Sequence, residues 1–415
     1  MKKHIVIIGY VWVEPDSSAA GQRMLQLIDV FLNKNFTITF ACPAQKNERS
    51  IDLTKKGIKE EFISVNSSSF DFFVKKENPS IVLFDRFMME EQFGWRVSEN
   101  CPEAMKILDT EDLHCLRKLR HEAYKKKIKF DVSQLVISDL AKREISSILR
   151  CDISLIISEY EIQLLKEIFK IDECLYVHLP FLLPNIDNKM QKEWHPYSDR
   201  NHFIFIGNYL HAPNVNAVIQ LKKVIWPIIR EKLPKAELHI YGPYAPEQII
   251  QMNSKKDNFL IKGAANIALE SIGKSRVMLA PLMFGAGIKG KLIDAMLAGT
   301  PSVTTEIGVE GMKGGLSWNG FVENDLQAFS EAAISLYTSE RIWKQKQLNG
   351  VEIINRRYNK VSLETAFYKN IEKRLESLET NRKMNFIGSI LQYKTMQATK
   401  YMSKWIEAKN AREIK

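Results

Sequence analysis

Cysteine is scarce in this 415-residue chain: five, at Cys42, Cys101, Cys115, Cys151 and Cys174. The number is odd, no two stand as C-x-x-C, and their contexts are apolar or scattered. This argues against both a disulfide framework and a zinc site, and fits a reducing compartment. Long hydrophobic runs are also missing: nothing approaches the roughly 20 apolar residues that span a bilayer. The run Ile5 to Val13 follows Lys2 and Lys3 and superficially resembles a secretory signal. It is short, no A-x-A-like cleavage site follows cleanly, and Glu14-Pro15-Asp16 comes next. A first buried strand leading into a functional loop explains the same residues, so the chain is read as cytoplasmic. There is no internal repeat of 20–50 residues.

Acidic residues run short only at the end. The chain carries +10, and residues 381–415 hold eight basic residues (Arg382, Lys383, Lys394, Lys400, Lys404, Lys409, Arg412, Lys415) against Glu407 and Glu413. That net +6 leaves the rest mildly basic, so no nucleic-acid-binding surface is indicated. Hydrophobic residues at 45% and charged ones at 26% are ordinary for a globular protein. The length favours two domains.

What is present is alternation. Apolar runs at 4–9, 36–42, 80–84, 105–109 and 153–158 suit strands covered on both faces, separated by helix-like stretches. Met24, Leu27, Ile28, Phe31 and Leu32 repeat at helical spacing behind Ser17 and Ser18, which stand where an N-cap belongs. Pro180, Pro184 and Pro196 punctuate a polar break, after which strands are expected at 203–207, 237–242, 259–263 and 277–282. Pro213 opens a helix that Pro227 should kink. Two helices are expected over 339–377 and a third over 382–413, with Ile387, Ile390, Leu391, Ala398, Tyr401, Met402 and Trp405 largely on one side.

The chemistry concentrates in GAGIKGKLIDAMLAGTPSVTT (285–305). Gly285, Gly287 and Gly290 allow close backbone approach, and a helix beginning near Lys289 offers free N–H groups to phosphate. Lys289 and Lys291 add positive charge at the same spot. The segment nearly fits G-x-x-x-x-G-K-[ST], but Leu292 stands where a magnesium-binding hydroxyl is required. A glycine turn used only for strand–helix packing is the plain alternative, and the two lysines weaken it.

Three segments in this order, FIFIGNYLHAPNVNAV (203–218), LPKAELHIYG (233–242) and RVMLAPLMFGAGIKGKLIDAMLAGTPSVTTEIGVEGM (276–312), resemble the donor-binding half of GT-B glycosyltransferases of family 4. The resemblance covers most of the chain, more weakly in the first half. It implies two Rossmann-like α/β domains facing across a cleft, with C-terminal helices crossing back. The corresponding limits are 1–185 for an acceptor-side domain with a return helix at about 356–380, 195–355 for a nucleotide-sugar domain, and 381–415 for a basic amphipathic tail.

The resemblance further implies a retaining, metal-independent glycosyltransferase of bacterial surface polysaccharide synthesis. A UDP- or GDP-sugar would be co-substrate and no cofactor would be needed; the acceptor would be a glycan or lipid-linked. Donor binding would fall to Gly207, Asn208, Gly242, Gly285, Gly287, Lys289, Lys291, Asp294 and Glu310. In the family's Glu-x7-Glu pair the second position falls on Asp294 and the first on Ala286, a departure. The lysine-bearing GAGIKGK version resembles a branch in which lysine and backbone replace part of that contact. EPDSSAAGQRM (14–24) is similar to the family's glycine-containing loop, which would put Gly21 and Arg23 beside the cleft. Asp109, Glu111, Asp112 and His114 cluster at a helix mouth, where some acids would serve as caps; His114 resembles the family's cleft histidine. Arg86, Glu90 and Asp112 complete the acceptor side. A non-catalytic nucleotide-sugar-binding protein and a GT-B nucleotide-sugar epimerase remain as alternatives. The tail has two readings: contact with an anionic membrane surface, or packing on the first domain.

Overall fold

The computed structural model describes residues 3–413. Lys2 and Lys415 lie outside the described residues, as do the side chains of Lys394 and Arg412.

The apolar runs of the first half form a parallel seven-stranded sheet: His4–Ile8 (β1), Thr37–Cys42 (β2), Lys59–Phe62 (β3), Ile81–Asp85 (β4), Met105–Asp109 (β5), Ile153–Ile156 (β6) and Tyr176–His178 (β7). Their order is β3-β2-β1-β4-β5-β6-β7. Central strands β1, β4 and β5 are buried at every residue, because helices cover both faces. The second sheet contains Asn201–Ile206 (β8), Leu238–Tyr241 (β9), Phe259–Gly263 (β10), Ser275–Ala280 (β11), Ser302–Thr304 (β12) and Gly320–Val322 (β13), in the order β10-β9-β8-β11-β12-β13. Each sheet reverses direction once, beside β1 and beside β8. Such switch points open ligand crevices beyond the carboxyl ends of the strands.

Ser18 caps the Ala19–Asn33 helix by accepting from the Gly21 amide at 3.0 Å. Pro227 does not break its helix. A five-residue π segment, Leu221–Ile225, lies just ahead of it and accommodates the missing N–H, and Trp226–Lys232 continues as α-helix. The chain crosses between domains twice, side by side: Leu183 N donates to Tyr358 O and Lys360 N to Leu183 O, each at 2.8 Å. The Lys360–Glu376 helix then lays Phe367, Tyr368 and Ile371 into the first domain's core beside Leu27 and Phe31.

The tail forms the Leu378–Met384 and Phe386–Glu413 helices. The latter packs on the first domain's Phe87–Asn100 and Asp139–Arg150 helices. It does so through polar and small groups. Ser403 Oγ accepts from Arg96 at 3.0 Å, Glu407 accepts from the Ser68 amide at 2.6 Å, and a Cβ on Gly388 would fall 2.2 Å from Leu149 O. Ile387, Tyr401, Met402 and Trp405 stay exposed, with Phe386 and Tyr393. Part of the tail's charge is already paired: Arg382 bonds Asp152 at 2.7 Å, and Lys400 pairs with Glu99.

Candidate active site between the domains

Loops from the carboxyl ends of both sheets enclose a cavity of about 280 Å³ between the domains. The second domain supplies one wall. Lys289 stands at the N-cap of the Gly290–Leu297 helix, where the amides of the first turn are free of helical partners. Its Nζ is buried and donates to Gly287 O at 2.6 Å; burial pushes it down to about 8. Lys291 Nζ donates to Asn214 Oδ1 at 2.6 Å and sits 4.1 Å from the Phe205 ring centre. Burial alone brings Lys291 down to about 7. Gly207 makes room for this amine, since a Cβ there would lie 2.7 Å from Nζ. Gly242 is fixed by closeness as well, its hypothetical Cβ falling 2.0 Å from Gly207 O. Asp294 lines the same cavity, raised to about 7 by burial. Two lysines and a carboxylate with displaced pKa values at one helix start are equipped to bind a partner of matching charge and hydroxyls.

The glycine loop also meets the first domain. Gly287, at φ 64°, would place a Cβ 2.8 Å from Asp112 Cβ, and a Cβ on Gly290 would fall 2.5 Å from Ala19 Cβ. Ala286 packs against the first domain's core. Ala286 also lines the cavity, and nothing in the structure explains the departure from the Glu-x7-Glu pattern. Across the cleft Asn208 Nδ2 donates to Ser17 O at 3.1 Å.

Arg86 and Glu111, just beyond the carboxyl ends of neighbouring strands β4 and β5, hold φ of 71° and 62°. Left-handed backbone at non-glycine residues is costly and collects at functional sites. Both line the cavity. Glu111 Oε1 is buried and has no hydrogen-bond partner among the described residues. Burial, followed by Asp109 and Asp85, pushes Glu111 up to about 8, so it is a neutral acid at neutral pH. Burial would also raise Asp112, but Arg117 at 2.8 Å and His114 outweigh it and hold it below the ordinary range. His114 is lowered to about 4 by burial and stays neutral, its Nε2 3.4 Å from Asp112 Oδ1.

The caps for the His114–Lys125 helix come from elsewhere, not from the acids at its mouth. Glu144 accepts from the His114 and Cys115 amides at 2.9 Å each. Glu161 Oε1 accepts from the Leu113 amide at 3.1 Å and from the Gly287 amide at 2.8 Å.

Of the residues singled out from sequence, the cavity gathers Arg86, Asp112, His114, Gly207, Asn208, Gly242, Gly285, Gly287, Lys289, Lys291 and Asp294. Four lie elsewhere. Arg23 is 1% exposed; its Nε and Nη2 bond Asp109 at 3.0 and 2.8 Å and its Nη1 bonds Leu179 O at 2.6 Å, so its charge is committed inside the first domain. Gly21 lies tight against the Glu14 carbonyl, 2.3 Å from a hypothetical Cβ. Glu90 is buried against Arg150 at 2.9 Å. Glu310 makes a two-pronged pair with Arg120, both bonds 2.7 Å, joining the domains. Sequence reasoning missed the cavity roles of Arg117 and His211. His211 lies within the 203–218 segment, but nothing in its spacing sets it apart; burial and Arg117 lower it to about 4.

Residues 200–339 match the family described as glycosyl transferases group 1. No curated protein matches the chain by sequence. Among solved structures, a point mutant of TarM of S. aureus, in complex with fondaparinux, alpha-GlcNAc-glycerol and UDP, superposes with a TM-score of 0.66 at 11% identity, covering 89% of this chain and 99% of that one. HepE of Anabaena, in complex with UDP and glucose, gives 0.62 at 12% identity, covering 89% and 99%. WaaG, a glycosyltransferase involved in lipopolysaccharide biosynthesis, gives 0.58 at 12% identity, covering 87% and 98%. At these identities the likeness establishes the fold, which is GT-B: two Rossmann-like domains facing across a cleft.

Proposed function

We propose that this chain is a retaining glycosyltransferase that takes a sugar from a nucleoside-diphosphate sugar seated on its second domain. The observation that carries the reading is the convergence of Lys289, Lys291 and the start of the Gly290–Leu297 helix in one interdomain cavity with Asp294. The diphosphate sits on the helix start and the two lysines, and Asp294 accepts from the ribose hydroxyls. The match of residues 200–339 supports the class of reaction, and the UDP held by TarM and HepE supports a UDP-sugar, with a GDP-sugar next in order.

With alanine at 286 offering no carboxylate, the sugar's hydroxyls fall to the first domain, to His114, Asp112 and Glu111. Arg86 and Asp112 face the acceptor. The acceptor oxygen attacks the anomeric carbon from the face the diphosphate leaves. The C–O bond to phosphate breaks as the new one forms, and the acceptor's proton passes to a departing phosphate oxygen. Lys291 and Lys289 neutralise the developing charge, so positioning and electrostatics supply the catalysis without a metal ion. The test is product analysis by NMR with candidate UDP- and GDP-sugars and acceptors. An α-linked product from an α-donor supports the reading. Conversion of the sugar without any acceptor would move the chain to the epimerases, and binding without turnover to the non-catalytic readings.

The acceptor class we propose is a glycan precursor on a lipid carrier, in surface polysaccharide synthesis and at the cytoplasmic membrane face. The Phe386–Glu413 helix supports this: its solvent side carries Tyr393, Tyr401 and Trp405 at 70, 64 and 63% exposure, with Lys404 and Lys409 exposed beside them. Val136 and Ile137 are exposed on a short helix that packs on Asp139–Arg150, as the tail does. Aromatics with lysines suit the interface of an anionic bilayer. No helix among the described residues is long and apolar enough to cross a membrane. Co-sedimentation with phosphatidylglycerol vesicles should fall sharply in a Tyr393→Ser, Tyr401→Ser, Trp405→Ser variant; undiminished binding would remove the tail from the proposal.

A further inference from the structure

The second sheet carries a cluster that the transfer reaction does not use. His202 stands near the start of β8, Glu237 immediately before β9 and His239 two residues further along. Phe203 N donates to Glu237 O at 2.8 Å, which sets His202 beside Glu237 in the sheet. Residues two apart on a strand share a face, so Glu237 and His239 project together. The His202 ring stacks on that of His239 at 4.0 Å between centroids, 21° from parallel. One ligand atom from each residue lies within 4.8 Å of the others: His239 Nε2 is 2.7 Å, and His202 Nδ1 3.7 Å, from the same Glu237 oxygen.

We propose that His202, Glu237 and His239 bind one divalent transition-metal ion of the zinc class, at the pole of the second domain opposite the donor cavity. Two imidazoles and a carboxylate suit zinc, nickel and copper over magnesium or calcium. Three protein ligands leave a fourth position for water or a group from outside. Around a tetrahedral ion with bonds of about 2.0–2.1 Å, ligand atoms stand roughly 3.3 Å apart. The distances here straddle that value, so side-chain rotation alone would complete the site. His202 reaches its place through a left-handed backbone, φ 58°, at the point where β8 skips a residue in its pairing with β11. Histidine tolerates that conformation better than most residues, but it remains a cost. The cluster is partly open, with side-chain exposures of 34, 39 and 11%, so an ion can reach it. Lys262 and Arg276 are near enough to weigh against a cation, so the ligand bonds must outweigh that repulsion. Lying beyond the opposite ends of β8 and β9 from Gly207 and Gly242, the ion would brace or regulate the second domain and not enter the transfer step.

The test is calorimetric titration of the full chain with Zn²⁺, followed by thermal unfolding and the visible spectrum of a Co²⁺ complex. Expected are one ion per chain, a raised melting temperature, and a tetrahedral Co²⁺ band without the thiolate absorption that binding at the exposed Cys174 would give. His202→Gln and His239→Gln should each abolish the one-to-one binding while leaving the far-UV spectrum of the fold. Glu237→Gln, at a more exposed position, should weaken it and secures the comparison if a histidine variant folds poorly. Absence of binding, or binding that survives His202→Gln with His239→Gln, would overturn the proposal. None of these readouts depends on sugar transfer.

Discussion

Glu161 and Gly287 hold the two domains together beside the interdomain cavity: the Gly287 amide donates to Glu161 Oε1 at 2.8 Å. The same oxygen takes the Leu113 amide, one residue before His114. One buried carboxyl thus ties the second domain's glycine loop to the start of the histidine-bearing helix. Glu161→Ala would leave both amides unpaired, costing about 1–3 kcal/mol each in whichever state keeps them buried. Expected are a lower denaturant midpoint and a lower kcat/KM, with Glu161→Gln, which still offers an oxygen, nearer the parent.

Gly287→Ala probes closure alone. Its Cβ would sit 2.8 Å from Asp112 and demand a left-handed alanine. The domains can separate to relieve the clash, so folding should survive while kcat/KM falls by about 10²-fold, the cost of misplacing reacting groups by about an ångström. Scattering of the variant should give a larger radius of gyration.

Lys291→Ala should lower kcat by on the order of 10²–10³, as removal of one charge-stabilising donor does. Its amine is buried, and among the described residues no carboxylate is its hydrogen-bond or ion-pair partner, so stability without ligand should hold or rise. Because burial brings Lys291 down to about 7, a bound diphosphate should raise it and draw in a proton. Nucleotide affinity should therefore weaken as pH rises from about 7, and calorimetry in two buffers of different ionisation enthalpy should show proton uptake that Lys291→Met abolishes.

Glu111 and Glu161 are raised to about 8, above the roughly 4.3 of an unfolded glutamate. The native state then holds protons that the unfolded chain releases. Their contribution is complete below about pH 4.3 and is lost as pH rises to about 8. Denaturant unfolding across that window should show Glu111→Gln flattening the decline. If Glu111 acts as a neutral hydrogen-bond donor, the same variant should keep most activity and Glu111→Ala should not.

The sequence made the central strands legible because burial on both faces writes itself as continuous runs such as HIVII and IVLFD. It hid β3, whose KEEF is a charged edge, and β7, β12 and β13, of three residues each, too short for any period to register. On the second domain's wall of the cavity, the glycines and lysines were readable because spacing along one turn fixes where they stand. Arg23 was not: its direction depends on Asp109, 86 residues away, and the pair saturates itself inside the domain. Arg23→Ala would strand a buried carboxylate, and about 3–5 kcal/mol of lost stability should appear in unfolding, a structural cost in place of an acceptor defect. Glu310 was hidden the same way, its partner Arg120 lying in the other domain.

The most direct measurement is thermal unfolding of the purified chain with UDP, GDP, ADP, CMP and dTDP. A ligand confined to the folded state stabilises it by about 2.7 kcal/mol at a hundred times its Kd. A clear rise in melting temperature with UDP or GDP, lost in Lys291→Ala and in Asp294→Ala, is the expected result. No shift with any nucleotide, or one that both variants retain, would contradict a donor site at the start of the Gly290–Leu297 helix.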